Sequence, residues 1–162
     1  MIGNRGYATY IRDWVRDEQK RTGGSYCCPR EAPAGWKYIG QGCYRAAYLA
    51  PDGVIYKVQA HEQSYQSNLS EYKKYNLLRI QHRMPEGARF PLMCNFRIEG
   101  ADTINAMDYV GPVLSQYEGP DRQKHVATLS TIAWRLNIGD MHQGNAAVDE
   151  KLGVIVPIDL GQ

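Results

Sequence analysis

Asp140, Asn145 and Asp159 are oxygen-bearing side chains in a fixed order, set in Ile138-Gly139-Asp140-Met141-His142-Gln143-Gly144-Asn145 and Ile158-Asp159-Leu160-Gly161. These types suit transfer of a phosphoryl group. An Asp can accept or orient the proton of an attacking hydroxyl. An Asn and a second Asp can supply oxygens to Mg²⁺, a hard cation that bridges nucleotide phosphates. Turn-forming Asp, Asn and Gly residues in two unrelated loops account for either piece alone, but poorly for the ordered set. His142 lies inside the first loop, placed either to contact a transferred phosphate or to shape the loop.

Two upstream features carry related chemistry. Lys57 stands in the apolar run Val54-Ile55-Tyr56-Lys57-Val58, and a lysine flanked by strand hydrophobes either carries its charge out to solvent or meets an anion. Alternation sets Val54, Tyr56 and Val58 on one face and Ile55 with Lys57 on the other. Two carboxylates are candidate partners. Glu71 is preferred because Tyr75 and Leu78, at i+4 and i+7, put it beside the packed face of a helix. Glu62 is nearer in sequence, but sits at the expected helix start, where an acid also suits the macrodipole. Gly40-Gln41-Gly42 is a two-glycine turn between strands rather than between a strand and a helix, which excludes a Rossmann fingerprint. It reads either as an ordinary tight hairpin or as backbone freed by positive φ to approach phosphate oxygens.

The elements that position these residues follow from spacing. Tyr7, Tyr10, Ile11, Trp14 and Val15 predict an amphipathic helix from Tyr7 to about Arg21, stopped by Gly23-Gly24. The stretch from Ser25 to Gly35 reads as a linker. Trp36 to Ile39, Cys43 to Ala50 and Val54 to Val58 predict a three-stranded meander with turns at Gly40-Gln41-Gly42 and Pro51-Asp52-Gly53. A helix is expected over His61 to His82, with Tyr65, Leu69, Tyr72, Tyr75 and Leu78 along it. Strands follow at Leu92 to Ile98 and Thr103 to Tyr109. A second amphipathic helix, with Pro120 in its first turn, presents Val126, Leu129, Ile132, Ala133 and Leu136 and stops near Gly139. A hairpin from Ala146 to Ile158 leads into Asp159.

Taken together, the segments Ile39 to Val58 and Gly139 to Gly161 resemble the protein kinase-like fold, most of all the early serine/threonine protein kinases of short-tailed bacteriophages. Gly40-Gln41-Gly42 with Ala46-Ala47-Tyr48, and Asp140-Met141-His142-Gln143-Gly144-Asn145, carry the resemblance. The Asp-x-His-x-Gly-Asn loop is also similar to that of aminoglycoside and choline phosphotransferases. The resemblance implies that Gly40 and Gly42 cover nucleotide phosphates, with Ile39 and Ala47 beside them. Lys57 would hold the α and β phosphates and pair with Glu71. Asp140 would be the catalytic base, with Asn145 and Asp159 as Mg²⁺ ligands. Met107-Asp108-Tyr109-Val110-Gly111 resembles the hinge that takes the adenine, contributing Met107, Asp108, Tyr109 and Val110, with Met107 as gatekeeper. Ile138 stands where the family usually has His, Arg45 where the loop has its third glycine, and Leu160 where the metal-binding triplet has Phe. None of these changes removes a catalytic group.

The chain has 162 residues, with 19 Lys+Arg against 17 Asp+Glu and 43% apolar residues. A net charge of +2 with mixed signs gives no polyanion field, so neither direct nucleic-acid binding nor a membrane surface is expected. The start, Met1-Ile2-Gly3-Asn4-Arg5, lacks the basic-then-apolar pattern of a secretory signal. Cys27, Cys28, Cys43 and Cys94 form no Cys-x-x-Cys pair and read as free thiols in a reducing compartment. A cytoplasmic protein is expected, in the host cytoplasm if the chain is phage-encoded.

The expected architecture is α+β and kinase-like. An N-terminal helix and linker (1–35) precede a minimal domain (36–162), made of a five-stranded antiparallel N-lobe sheet with one helix (36–111) and a truncated helical C-lobe (112–162). Nucleotide is expected between the lobes. The expected activity is that of an ATP- and Mg²⁺-dependent protein serine/threonine kinase acting on host proteins. The alternatives are a nucleotide-binding protein that docks a host factor and a small-molecule phosphotransferase. A second copy of the chain is an expected partner, since a short C-lobe would expose apolar faces of the helix from Val126 to Leu136.

Overall fold

Chain order in the computed structural model is a helix, three strands, a helix, two strands, a helix and a closing strand pair. The structure describes residues 2–24, 27–62 and 64–160, apart from the side chain of Tyr65. Gly161 of the expected triplet and the Tyr65 ring expected along the second helix lie outside the described residues. Two compact units divide the chain: Met1–Tyr72 with Leu92–Tyr109, and Lys73–Pro91 with Val110–Gln162.

In the first unit, helix α1 (Arg5–Arg21) begins earlier than its apolar spacing predicts. Asn4 is the reason: its side chain accepts the Tyr7 N–H at 2.7 Å, satisfying one of the open amides of the first turn. The Asn4 amide in turn donates to the Tyr56 hydroxyl at 3.0 Å, fixing the helix start against the sheet. Gly3 just before it has φ +76°, and a Cβ there would lie 2.7 Å from the Ala106 Cβ, so only glycine allows this approach. The buried stripe is Ala8, Ile11, Val15 and Gln19, while Tyr10 is half exposed. Tyr10 instead stacks at the rim on Trp36, with ring centroids 5.8 Å apart.

The sheet of this unit has order β1-β2-β3-β5-β4, antiparallel throughout, from β1 (Lys37–Gln41), β2 (Arg45–Leu49), β3 (Val54–Gln59), β4 (Met93–Glu99) and β5 (Asp102–Asp108). Ala8, Ile11 and Val15 pack in one core with Tyr48, Tyr56, Val58, Phe96, Ile104 and Ala106. Arg16 adds a polar fastening through two bonds to the buried Asp102 carboxylate, at 3.2 and 3.1 Å. The α+β class and five-stranded antiparallel sheet are as the sequence predicts. The expected helix from His61 is shorter. A 3-10 turn at Ser64–Gln66 precedes α2 (Ser67–Gln81), because His61 and Ser64 cap each other reciprocally and Gln66 takes φ 50°.

The second unit contains the rest of α2, α3 (Arg122–Leu136) and the hairpin β6 (Ala146–Asp149) and β7 (Val154–Pro157). Pro120 precedes α3 rather than opening it, and its carbonyl accepts the Tyr117 hydroxyl at 2.9 Å. The helix closes at Leu136 with Asn137 in the left-handed conformation, two residues before the Gly139 that was expected to stop it. His125 joins Leu129, Ile132 and Leu136 on the buried stripe, edge-on to Tyr117 at 5.7 Å, whereas Val126 is only partly covered. Tyr75 of α2 is fully buried and donates to the Pro157 carbonyl at 2.7 Å. Among the described residues, no helix is long and apolar enough to cross a membrane.

None of the four cysteines is in a disulfide: Cys27 and Cys43 are exposed, Cys94 intermediate and Cys28 buried. Burial pushes the Cys28 thiol up to about 11, so it stays protonated and unreactive at neutral pH. Alkylation of the native chain is expected to give two fast thiols, a slower Cys94, and Cys28 only on unfolding. Modification of Cys28 at the rate of Cys43 would contradict this packing.

Candidate functional site

Sheet register brings one group of candidate residues together in the first unit. Gly40 pairs with Ala47, Ala47 with Lys57 and Lys57 with Asn105, one row across four strands. Directly opposed residues project to the same face, and so do Ile55 and its partner Met107, two positions along. This face is opposite the one that carries Tyr48, Tyr56 and Ala106 into the core with α1. Gly40, Ala47, Lys57 and Met107, expected to meet a nucleotide, are thus on one surface.

The glycine turn differs from expectation. β1 runs through Gly40 to Gln41, and the turn is Gly42-Cys43-Tyr44, closed by the Gly42 N–H donating to the Arg45 carbonyl at 2.9 Å. Neither Gly40 nor Gly42 has positive φ. A Cβ at either would meet nothing within 4 Å, so what these glycines leave is open space beside the backbone. A bulge between Tyr38 and Gly40 leaves Ile39 out of the pairing, and its side chain is exposed.

Lys57 does not reach solvent. Its ammonium donates to both Glu71 oxygens, at 3.0 and 3.1 Å, and the two side chains retain 9% and 2% exposure. Glu62, the other candidate, accepts the Ala101 N–H at 3.3 Å instead. Three polar residues that sequence reasoning missed complete the surroundings. Arg45 Nη2 donates to Glu71 Oε2, and Asn105 Nδ2 donates to Glu71 Oε1 at 3.3 Å. Asn68 gives its amide to the Lys57 and Thr103 carbonyls, at 2.8 and 2.7 Å. Asn105 is fully buried, and a buried amide needs a partner, which Glu71 and the Asn68 carbonyl supply.

At the end of β5, Met107 is buried, and Asp108 exchanges bonds with Leu92 through its own N–H (3.1 Å) and its Oδ1 (2.8 Å). Tyr109 is about half exposed and is the last residue of the first unit. In the second unit, Val110 is half-buried and Gly111 has φ +147°, where a Cβ would stand 2.3 Å from the Val148 carbonyl oxygen.

In the second unit a separate group of candidate residues gathers around Asn145. Its side-chain amide donates to the Asp140 carbonyl at 2.8 Å, while its own carbonyl accepts the N–H groups of Ile158 (2.9 Å) and Asp159 (3.4 Å). The cause is register: Ala146 pairs with Pro157, so the residues flanking that pair, Asn145 and Ile158, are neighbours. Arg122 steadies the loop, donating to Gln143 Oε1 at 2.7 Å and to the Tyr117 carbonyl at 2.9 Å. The Asp140 carboxylate is 71% exposed.

In donor chemistry, an amide and a carboxylate oxygen, Asn145 and Asp159 suit a magnesium ion. The Asn145 amide nitrogen is committed to Asp140, which presents its side-chain oxygen away from that bond. The Asp159 carboxylate is the second oxygen donor that would hold the ion. Among the described residues no three His, Cys, Asp or Glu side chains form a metal cluster. One carboxylate and one amide oxygen suit an ion whose remaining ligands are phosphates and waters.

His142 shapes the loop. Its Nδ1 accepts the Gly144 N–H at 3.1 Å, capping the 3-10 turn Gln143–Asn145, and its Nε2 lies 4.0 Å from Asp140 Oδ1. His142→Ala is expected to lose the cap, worth about 1 kcal/mol, and to lower the melting temperature. His142→Asn, which restores an acceptor, should retain more of that stability. Equal melting of the two variants would remove capping as the reason for His142.

No family model and no curated protein matches the chain. Among solved structures, the chain is similar to the bacterial Ser/Thr kinase PpkA-294 in its apo form, at 15% identity over 85% of this chain and 62% of that one, with a TM-score of 0.48. It is also similar to the aminoglycoside phosphotransferase APH(2")-IIia in its GDP and kanamycin complex, at 14% identity over 51% of this chain and 27% of that one, with a TM-score of 0.41. The chain therefore spans less than two thirds of either protein. At this distance the reading of the site rests on the side chains described above.

Proposed function

We propose that the chain is an ATP- and Mg²⁺-dependent phosphotransferase that phosphorylates serine or threonine hydroxyls of proteins. The observation that carries this reading is the buried Lys57–Glu71 pair, set in one row with Gly40 and Ala47. A lysine is costly to bury and is stabilised here by a carboxylate, which orients its ammonium toward the face where the glycines leave room. In this reading Lys57 holds the α and β phosphates, Met107 to Val110 receive the adenine, and Asn145 and Asp159 hold Mg²⁺. Mg²⁺, when bound, neutralises charge on the phosphates.

Asp140 takes the proton of the attacking hydroxyl. The hydroxyl oxygen forms a bond to the γ phosphorus as the bond from that phosphorus to the β,γ-bridging oxygen breaks, and ADP leaves with that electron pair. Positioning and charge neutralisation supply most of the acceleration. The resemblance of Ile39 to Val58 and Gly139 to Gly161 to phage early kinases supports proteins of a bacterial host as substrates.

The loop Asp140-x-His142-x-Gly144-Asn145 favours a second reading, a small-molecule phosphotransferase. Incubation with γ-labelled ATP, Mg²⁺ and bacterial lysate separates the two. Label in protein, recovered after acid hydrolysis as phosphoserine or phosphothreonine, is expected. Label confined to small molecules would overturn protein specificity, and nucleotide binding without transfer to any acceptor would leave a nucleotide-dependent docking protein.

A further inference from the structure

Arg45 belongs to the Lys57–Glu71 pair as a third member. Its guanidinium spans Asn68 and Glu71, three positions apart on α2, donating from Nη1 to Asn68 Oδ1 at 3.3 Å and from Nη2 to Glu71 Oε2. Both acceptors are fixed. Asn68 is fully buried and holds the backbones of β3 and β5, while its own N–H donates to Gln59 Oε1 at 3.1 Å. Meanwhile the Arg45 carbonyl closes the glycine turn by accepting the Gly42 N–H. One residue thus joins that turn through its backbone to the buried carboxylate through its side chain.

We propose that Arg45 is a positioning residue for nucleotide phosphate that acts through Glu71, an inference that rests on the nucleotide-binding reading above. Glu71 Oε2 is shared between Arg45 and Lys57. When Lys57 shares its ammonium with phosphates, a buried carboxylate held by lysine alone would lose part of its only cation, and that cost would weaken binding. Arg45 keeps Glu71 paired and in place, so the ammonium can engage phosphate without stranding its partner. Lysine at this position keeps the charge but cannot bridge Asn68 and Glu71 at once, because it lacks the planar fork.

The test compares binding of ATP with Mg²⁺ and of adenosine to the full chain for wild type, Arg45→Met, Arg45→Lys, Glu71→Gln and the double variant Arg45→Met with Glu71→Gln. Arg45→Met is expected to weaken ATP about tenfold and adenosine hardly at all, with Arg45→Lys between it and wild type. The double variant should bind ATP no more weakly than Glu71→Gln alone, because Arg45 acts through that carboxylate. Wild-type ATP affinity in both Arg45 variants would overturn the proposal, as would equal losses for ATP and adenosine, or losses that multiply in the double variant. Should Arg45→Met not fold, the ATP-to-adenosine ratio of Arg45→Lys decides. Failure of the wild type itself to bind ATP would overturn the functional reading, and this inference with it.

Discussion

Asp140→Asn is expected to lower phosphoryl transfer by a factor of about 10² to 10⁴, with melting and ATP affinity at wild-type values. The carboxylate is exposed, and the structural bond at this residue goes to the backbone carbonyl, which the substitution preserves. An amide occupies the same volume and accepts a hydrogen bond, but takes no proton. The loss therefore falls on kcat. Steady-state turnover, calorimetric ATP binding and thermal melting check the three parts separately. Turnover within a factor of about two of wild type would remove Asp140 from the chemistry.

Lys57→Met is expected to lower turnover by about 10² to 10³, the usual cost of removing one preorganised charge from a developing negative centre. The fold should survive this change better than burial alone suggests. Deleting one partner of a buried pair typically costs about 3–5 kcal/mol, because the other charge is stranded. Here Glu71 keeps Arg45 and Asn105, and the methionine chain refills the volume. Urea unfolding should therefore show a loss well below that range. A variant with wild-type turnover would contradict the role of Lys57, and one that fails to fold would contradict the sharing of Glu71.

What was legible in the sequence followed local periodicity. The i+4 and i+7 spacing from Glu71 to Tyr75 and Leu78 selected the right carboxylate over Glu62, and alternation put Ile55 on the face of Lys57. Partners set by long-range register were not legible. Arg45 read only as a replaced glycine, yet the pairing of β2 with β3 and the position of α2 bring its guanidinium to Glu71. Apolar spacing does not fix the helix ends: Asn4, His61 with Ser64, and Asn137 set them, because a side chain or left-handed residue that satisfies end groups overrides that spacing. Gly40 and Gly42 invited an argument from positive φ, but an extended strand followed by an open turn needs none there. In the second unit, the five-residue spacing from Asp140 singles out Asn145 as a candidate. That its carbonyl also accepts from Ile158 and Asp159 depends on the β6–β7 register.

The most direct test of the central claim is transfer of label from γ-labelled ATP, in the presence of Mg²⁺, to proteins of a bacterial lysate and to the chain itself, with wild type and Asp140→Asn in parallel. Labelled serine or threonine is expected with wild type, and a loss of at least about a hundredfold in the variant. Equal labelling by the two proteins, or none by wild type under conditions where it binds ATP, would contradict that claim.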